Sequence, residues 1–429
     1  MNITKGGKRM TISEKDFKTT KIPLNIDEEN GSKIEIYVDN AATTKMSIAS
    51  IEAMLPYLET MYANPSSLHL PGQKAADVLL NARKDIANIL RCNVREIYFT
   101  SGGSEADNQA IMSAAKYGAK IGKRHIISTA FEHHAVLHTL NQLEKQGYEI
   151  TLLDVHEDGL VRLEELESAI RTDTVLVTIM YANNEIGTIQ PIKEIGKICR
   201  EKKILFHTDG VQAAGYINID VNELNVDMLS ISAHKFHGPK GVGLLYAKKG
   251  VPLVSLIEGG AQEYGKRAGT ENIAAIISMA AALKSAYIQN NEKLSEIKVM
   301  RDKLIDELTK VPHSILNGDR ENRLPANVSI CFEGIEGEAL LILLSEKGIY
   351  ASSGSACTSG ALDPSHVLLA IGRPHEIAHG SLRISLSKYN TWEEIDYIIK
   401  TVPEVVAYLR NMSPVWKDLE EGKSKYVIQ

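Results

Sequence analysis

Short apolar runs rich in β-formers alternate with helix-like stretches from Glu96 to about Leu245, and this alternation restricts the chain to very few folds. The run Val175–Met180, for example, contains a single polar residue. Strands of this kind are buried on both faces, as in parallel sheets that are covered by their crossover helices. We therefore predict a large doubly wound α/β domain with a mainly parallel sheet.

Beyond Gly260 the pattern changes. It is helical to about residue 310, and short strands then alternate with amphipathic helices, which is typical of a smaller α+β domain. The predicted organisation is an N-terminal extension, a segment that packs with the small domain, a large domain and a small domain, with the bounds 1–34, 35–52, 53–290 and 291–429.

Composition excludes several classes of function. The 429 residues carry a formal net charge of −6, which gives no basic surface for nucleic acid or an anionic membrane. No apolar run approaches the roughly 20 residues that cross a bilayer, so we expect a cytoplasmic protein. Its four cysteines are widely spaced, which predicts neither a disulfide scaffold nor a metal site.

The cysteines differ in their surroundings. Cys92, Cys199 and Cys331 lie in apolar-periodic stretches, where a free cysteine is usually a small buried hydrophobe. Cys357 instead lies in the Ser/Gly-rich run 352–360. An inert turn residue is the alternative, but a thiol in a loop of Ser, Gly, Ala and Thr indicates a functional role.

A glycine-rich turn, Thr100–Glu105, stands between a predicted strand and a predicted helix. Free backbone N–H groups and the helix dipole favour an anion at such a position. The glycines allow the backbone to close on a phosphate, and Ser104 adds a hydroxyl. Helix caps use the same residue types, so this turn alone does not distinguish a phosphate site from a cap.

Two further positions favour a phosphate-bearing cofactor. Lys235 follows a buried strand among small residues and histidines, where a desolvated amine becomes nucleophilic and forms imines; Lys240, in a Gly-Pro-Lys-Gly turn, is the rival. Asp209 ends a predicted parallel strand, the edge at which such sheets bind ligands. A carboxylate there can hold a pyridine nitrogen protonated, although a lone Asp-Gly is usually a turn.

The combined motifs resemble those of one family. They occur in family order from about Tyr37 to Trp416 and comprise Tyr37–Thr44, Phe99–Gly102, Glu132–His133, Asn183–Gly187, His207–Gln212, Ala233–Lys235, Arg267–Asn272 and Ser352–Ser359. On these residues the sequence resembles the cysteine desulfurases of the NifS/IscS type, within the class V aminotransferase group of fold-type I pyridoxal-phosphate enzymes.

The resemblance implies a role for each matching residue. Lys235 would bind pyridoxal 5'-phosphate, Asp209 would pair with its ring nitrogen, and Gln212 would bond its ring hydroxyl. The phosphate would be held by Gly103, Ser104, Ser232 and His234, and Thr270 of a second subunit would also contact it. His133 would stack on the ring, and the adjacent His134 is the alternative for this role. Asn183 would bond the ring oxygen and contact substrate, and Arg383 would bind the substrate carboxylate.

The reaction that the resemblance implies converts L-cysteine to L-alanine and leaves a persulfide on Cys357. A thiolate must attack the substrate sulfur and leave carrying it, which suits a loop cysteine. The implied partners are a second copy of the chain and a sulfur-acceptor protein, such as an iron–sulfur scaffold or a tRNA-thiolation protein. The catalytic residues would be Cys357, Lys235 and His133.

Other interpretations are compatible with parts of this pattern. A selenocysteine lyase or an aminotransferase would share the cofactor site, although a simple aminotransferase needs no mobile thiol. A non-catalytic scaffold would need neither Lys235 nor Cys357. Ser104 stands where the family often has Thr, and Ala268 where it often has Ser, and both changes are compatible with cofactor binding.

Overall fold

The protein is described by a computed structural model that covers residues 34–288, 290–353 and 364–428. Of the predicted N-terminal extension, only Ile34 belongs to these residues, and Cys357 lies outside them. The strands are β1 (Ile36–Tyr37), β2 (Ile97–Thr100), β3 (His125–Thr129), β4 (Glu149–Leu153), β5 (Thr174–Thr178), β6 (Leu205–Asp209), β7 (Met228–Ser232), β8 (Gly243–Ala247), β9 (Ser314–Leu316), β10 (Asn327–Phe332), β11 (Ile349–Tyr350) and β12 (Ser381–Ser385).

The helices alternate with these strands. They are α1 (Ile48–Glu59), α2 (Leu70–Leu90), α3 (Gly103–Lys120), α4 (His134–Glu144), α5 (Leu163–Ala169), α6 (Ile192–Lys202), α7 (Gln262–Gly265), α8 (Ile273–Ile288), α9 (Asn290–Leu308), α10 (Gly337–Glu346), α11 (His366–Ala370), α12 (His375–Ala378), α13 (Trp392–Met412) and α14 (Pro414–Glu420). Among the residues that the structure covers, no helix combines the length and apolar character needed to cross a bilayer.

A seven-stranded sheet of order β2-β8-β7-β6-β5-β3-β4 forms the centre of the protein. The pairs from β4 through β7 are parallel, while β8 runs antiparallel to both of its neighbours. The predicted α/β class with a large, mainly parallel sheet is thus confirmed. Hydrophobic periodicity does not report strand direction, which is why the sequence did not reveal the reversal at β8.

Successive residues of the central strands pack into different cores. Ile126 and Leu176 contact the α3 side of the sheet, whereas their neighbours Ile127 and Val177 belong to the core on the opposite side. Side chains alternate between the faces of a strand, so both faces of this sheet are buried. This double burial accounts for the near-continuous apolar runs in the sequence.

A second group of elements builds a separate core. The antiparallel sheet β12-β10-β9 packs with α9, α10 and α13, and Ile36 and Val38 join the same apolar cluster. The short strand β1 pairs in parallel with β11. These contacts bring the start of the described chain to its C-terminal part, while the domain bounds given above stay a prediction.

One buried ion pair fixes the segment that precedes α8. Arg83 of α2 binds both carboxylate oxygens of Glu263, at 2.6 and 2.7 Å, and Glu263 also accepts the Phe99 backbone N–H at 2.9 Å. The two side chains are 6% and 2% exposed. Water therefore cannot replace either partner, and the pair holds the 262–265 turn against α2 and β2.

We expect Glu263→Gln to lower the free energy of unfolding by about 3 kcal/mol, because a buried guanidinium loses its counter-charge. Urea unfolding at pH 7 measures this change. The matched control is Glu258→Gln, which removes a carboxylate from an exposed position and should change stability by less than about 0.5 kcal/mol. A decrease in the free energy of unfolding of less than about 1 kcal/mol in Glu263→Gln would show that the Arg83–Glu263 pair does not stabilise the fold.

Candidate active site

Several of the predicted site residues lie at one edge of the large sheet. Asp209 and Ser232 end the neighbouring strands β6 and β7, and His133 follows β3. The carboxyl ends of parallel strands meet at the same edge, where loops leave a crevice for ligands. The fold therefore brings together residues that are far apart in the sequence, such as Lys235 and Ala41, which are 194 positions apart.

Lys235 is held beside Asp209 by backbone oxygens. Its Nζ donates to the carbonyls of Ala41 and Ala42 at 2.6 and 2.8 Å. Burial raises the pKa of Asp209 and lowers that of His133, and the charge of Lys235 opposes the first shift and adds to the second, so Lys235 lies near both groups. Lys240, the rival of Lys235, is exposed, so the geometry favours Lys235 as the functional lysine.

The stretch Ala41–Thr44 connects further members of the site. The Gln212 amide donates to the Ala41 carbonyl at 3.0 Å, and the His234 ring contacts the Thr43 hydroxyl at 3.2 Å. The Thr44 N–H donates to the His234 carbonyl. A segment from the start of the described chain thus covers the edge of the sheet at which Lys235 emerges.

Asp209 is a buried carboxylate whose Oδ1 accepts the Val211 N–H at 2.9 Å. Burial raises its pKa, against the lowering effects of that bond and of Lys235. A cation beside this carboxylate would offset the cost of burial. The site therefore suits a protonated ring nitrogen.

The turn before α3 leaves its first backbone N–H groups without a side-chain cap, as an anion site requires. Gly103 is buried, and a Cβ there would lie 2.6 Å from Val211 Cγ2 and 3.6 Å from Ser232 Cβ. Ser104 is exposed. The first turn of α3 thus adjoins both β7 and the residues that follow Asp209, and these residues together fit a pyridoxal phosphate.

His133 caps α4, where its Nδ1 accepts the Ala135 N–H at 3.1 Å. Burial is the main cause that lowers its pKa to about 4, followed by Lys235 and the neighbouring histidines. The ring is therefore neutral near pH 7. A neutral imidazole whose Nδ1 accepts a hydrogen bond carries its proton on Nε2, which suits stacking against a cofactor ring.

The two adjacent asparagines have different surroundings. The Asn183 carboxamide is fully buried, donates to the Phe131 carbonyl, and accepts the N–H groups of Glu185 and Ile186. Asn184 is partly exposed. Asn183 therefore stabilises the 183–186 turn, and its contacts with cofactor and substrate stay a prediction, for which the partly exposed Asn184 is a second candidate.

Arg383 reaches the same site from β12. Its side chain is 4% exposed and binds Asp39 Oδ1 through Nη2 at 2.8 Å. Its backbone pairs with Ser352 in both directions, with N–O distances of 3.1 and 2.7 Å. Arg383 thus joins the predicted substrate site to the start of the Cys357 segment. Thr270 is exposed, and the role of Thr270 stays a prediction.

The sequence did not single out the chemistry of Glu132. Its Oε1 accepts the Thr129 hydroxyl and the Met180 N–H, while the buried Oε2 has no hydrogen-bond partner within the covered part of the chain. Burial raises its pKa to about 8. Its only sequence signal was its place before His133, because burial of a carboxylate cannot be inferred from one sequence.

The raised pKa of Glu132 predicts a pH dependence. Between pH 5 and 8 the folded protein keeps this proton while the unfolded chain releases it, so stability falls as pH rises. We expect Glu132→Gln to flatten this fall by up to about 1 kcal/mol per pH unit. Urea unfolding at pH 5, 6.5 and 8 measures the slopes, and equal slopes in both proteins would contradict the assignment.

Comparisons with known proteins agree with this geometry. The family model described as aminotransferase class-V matches residues 36–398. A cysteine desulfurase IscS of Methanosarcina thermophila is 52% identical over 391 residues, which cover 91% of this chain and 96% of the relative.

Solved structures are also similar. A NifS-like protein has a TM-score of 0.83 and 40% identity over 88% of this chain and 100% of its own. SspA in complex with cysteine has a TM-score of 0.73 and 36% identity over 83% of this chain and 100% of its own. With the Lys235 site at the sheet edge, these matches show that the chain belongs to the class V aminotransferase family, among its cysteine desulfurases.

Proposed function

We propose that this protein converts L-cysteine to L-alanine and carries the released sulfur as a persulfide on Cys357, from which an acceptor takes it. The observation that carries the proposal is the position of Lys235. Its amine is held beside the buried Asp209 and the neutral His133, at the sheet edge that Arg383 reaches from β12.

The cofactor we propose is pyridoxal 5'-phosphate. When bound, it supplies an aldehyde that condenses with amines and a ring that withdraws electrons from the substrate α-carbon. Asp209 would pair with the ring nitrogen, His133 would stack on the ring, and Gln212 and either Asn183 or Asn184 would bond its oxygen. The phosphate would be held by Gly103, Ser104, Ser232 and His234. Thr270 of a second subunit would add a further contact.

Each residue has a chemical task in this proposal. Arg383 binds the substrate carboxylate and orients the amino acid. The Lys235 amine takes the proton from the substrate α-carbon, since an amine held next to the reacting carbon is a competent base. The neutral imidazole of His133 offers an Nε2–H for hydrogen bonding and places no positive charge beside the Lys235 amine.

Sulfur transfer requires an accessible thiolate, and the described cysteines do not supply one. Burial raises the pKa of Cys92 to about 12 and that of Cys331 to about 11, and it also raises the pKa of Cys199. Such thiols stay protonated and unreactive near pH 7. Cys357, which lies outside the described residues, is the remaining cysteine.

The proposed transfer is balanced without an external oxidant. The Cys357 thiolate forms a sulfur–sulfur bond with the substrate sulfur while the carbon–sulfur bond breaks. The electron pair of the broken bond stays with the carbon skeleton, which takes up a proton and becomes alanine. The two sulfur atoms of the persulfide are together oxidised by two electrons, and the carbon that loses the sulfur is reduced by the same two electrons.

The chain on either side of Cys357 is attached to the site. Ser352 pairs with Arg383, the Ser365 hydroxyl donates to Glu185, and His366 Nε2 contacts the Glu132 carbonyl at 3.0 Å. Cys357 follows Ser353 by four residues, and four residues of extended chain span at most about 14 Å. This tether supports a thiol that reaches the bound substrate.

We also propose a cytoplasmic homodimer that delivers sulfur to an iron–sulfur scaffold or a tRNA-thiolation protein. Five apolar side chains between residues 58 and 70 are exposed by 37 to 91%: Leu58, Met61, Tyr62, Leu68 and Leu70. Exposed apolar surface of this kind is typical of an interaction face. Together with the exposed Thr270, it supports association of two chains.

Mass spectrometry of the intact protein tests the proposed function. After incubation with L-cysteine, we expect a gain of one sulfur on the peptide that contains Cys357, together with release of alanine. Alanine or sulfide without this adduct would favour a lyase. The absence of both alanine and the sulfur adduct would refute the desulfurase proposal.

A further inference from the structure

The guanidinium of Arg383 is only partly satisfied. Nη2 donates to Asp39 Oδ1 at 2.8 Å and Nη1 donates to the Asn184 carbonyl at 3.2 Å. Nε is buried and has no hydrogen-bond partner among residues 34–288, 290–353 and 364–428. A buried donor without an acceptor is costly, so this unpaired N–H indicates a ligand position.

A carboxylate that binds Arg383 side-on would use Nε and Nη2 together, which is one of the bidentate arrangements of this group. In the structure Asp39 contacts Nη2 through one oxygen and leaves Nε unused. Asp39 therefore occupies half of the edge that a substrate carboxylate would take. Its side chain is 23% exposed, so ligands and solvent can reach this edge.

We infer that Asp39 sets how tightly this site binds amino acids, since its carboxylate orients Arg383 and competes with the substrate carboxylate for Nη2. This inference rests on the proposed function, in which Arg383 binds that carboxylate. Asp39 is a positioning residue. It limits the affinity of the site for every α-amino acid, including the alanine product, which therefore leaves.

The size of the effect follows from electrostatics. Two carboxylates on one guanidinium lie about 5 Å apart and repel each other, and the repulsion is only partly screened at a half-open site. Removal of the Asp39 charge with retention of its acceptor oxygen should tighten amino-acid binding by roughly 10-fold. Removal of both charge and acceptor should tighten it less, because Arg383 then loses its anchor.

The test compares Asp39→Asn with Asp39→Ala in the cofactor-loaded protein. The dissociation constant of L-alanine, read at equilibrium from the cofactor absorption, should fall roughly 10-fold in Asp39→Asn and less in Asp39→Ala. The KM for L-cysteine should fall with it, without a rise in kcat. Cysteamine lacks a carboxylate, so its inhibition constant should stay within about 2-fold.

Two further variants make the test robust. Glu35→Gln removes an exposed carboxylate from the same segment and should not change alanine binding. Asp39→Ser is a second neutral variant that keeps an acceptor, for use if Asp39→Asn does not fold or does not hold cofactor. An unchanged or weaker affinity for alanine in the folded neutral variants would overturn the inference.

Failure of this inference is distinguishable from failure of the proposed function. A native protein that forms alanine and the Cys357 persulfide, with variants that bind alanine like the native protein, would refute only the role of Asp39. A native protein that forms neither product would refute the proposed function itself. An equal gain in affinity for cysteamine and alanine would also overturn the role of Asp39, because that change would not depend on a carboxylate.

Discussion

Replacement of Lys235 by alanine is expected to lower the rate of alanine formation from cysteine by at least about 1,000-fold. In the proposed function the variant loses the amine that would bind the cofactor and take the substrate α-proton, and each of these losses is costly. It also loses the hydrogen bonds to Ala41 and Ala42. Alanine release measures the rate, and the visible spectrum should lose the absorption of lysine-bound cofactor.

Lys240→Ala is the matched control for this prediction. Lys240 follows the same strand but is exposed, so its removal should leave the spectrum and the rate within about 2-fold of the native values. A Lys235→Ala protein that kept a lysine-bound cofactor and near-native activity would show that another lysine carries the reaction. Borohydride reduction followed by peptide mapping would then identify that lysine.

Cys357→Ser is expected to abolish the persulfide and to lower sulfur release from cysteine by at least about 1,000-fold, with the cofactor spectrum unchanged. A serine hydroxyl is not ionised near pH 7 and is a poor nucleophile toward sulfur. The variant should still bind cysteine, because Arg383 and Lys235 are intact. Alanine and sulfide are assayed together with the mass of the protein.

Cys92→Ser is the control for the loss of a thiol. Cys92 is partly buried and burial raises its pKa to about 12, so its loss should leave sulfur transfer unchanged. A Cys357→Ser protein that released sulfide at the native rate would show that Cys357 does not carry the sulfur. A native adduct that mapped to Cys92 would lead to the same conclusion.

The sequence predicted the large sheet because its central runs are buried on both faces, as Ile126 and Ile127 are in different cores. It predicted the grouping of Asp209 and Lys235 because Asp209 ends one strand of that sheet and Lys235 follows another. It did not predict that the amine of Lys235 is held by the carbonyls of Ala41 and Ala42. Backbone groups carry no residue-specific signal in a sequence.

Other features depended on contacts between distant residues. Asp39 and Arg383 are 344 positions apart, and nothing in one sequence links them. The motif offered two adjacent asparagines, and only the hydrogen bonds of Asn183 assign it to the turn. The partner of Arg83 was equally hidden, because Glu263 lies in an irregular segment with left-handed backbone.

The attachments on either side of Cys357 have an evolutionary consequence. Ser352 is joined to the backbone of Arg383, and Ser365 is joined to Glu185, so both ends of the intervening segment are fixed to residues of the folded core. Insertions and deletions between two such fixed ends leave the core intact. Descendants of this protein can therefore change the length and sequence of that segment while Arg383 and Glu185 keep their positions in the core.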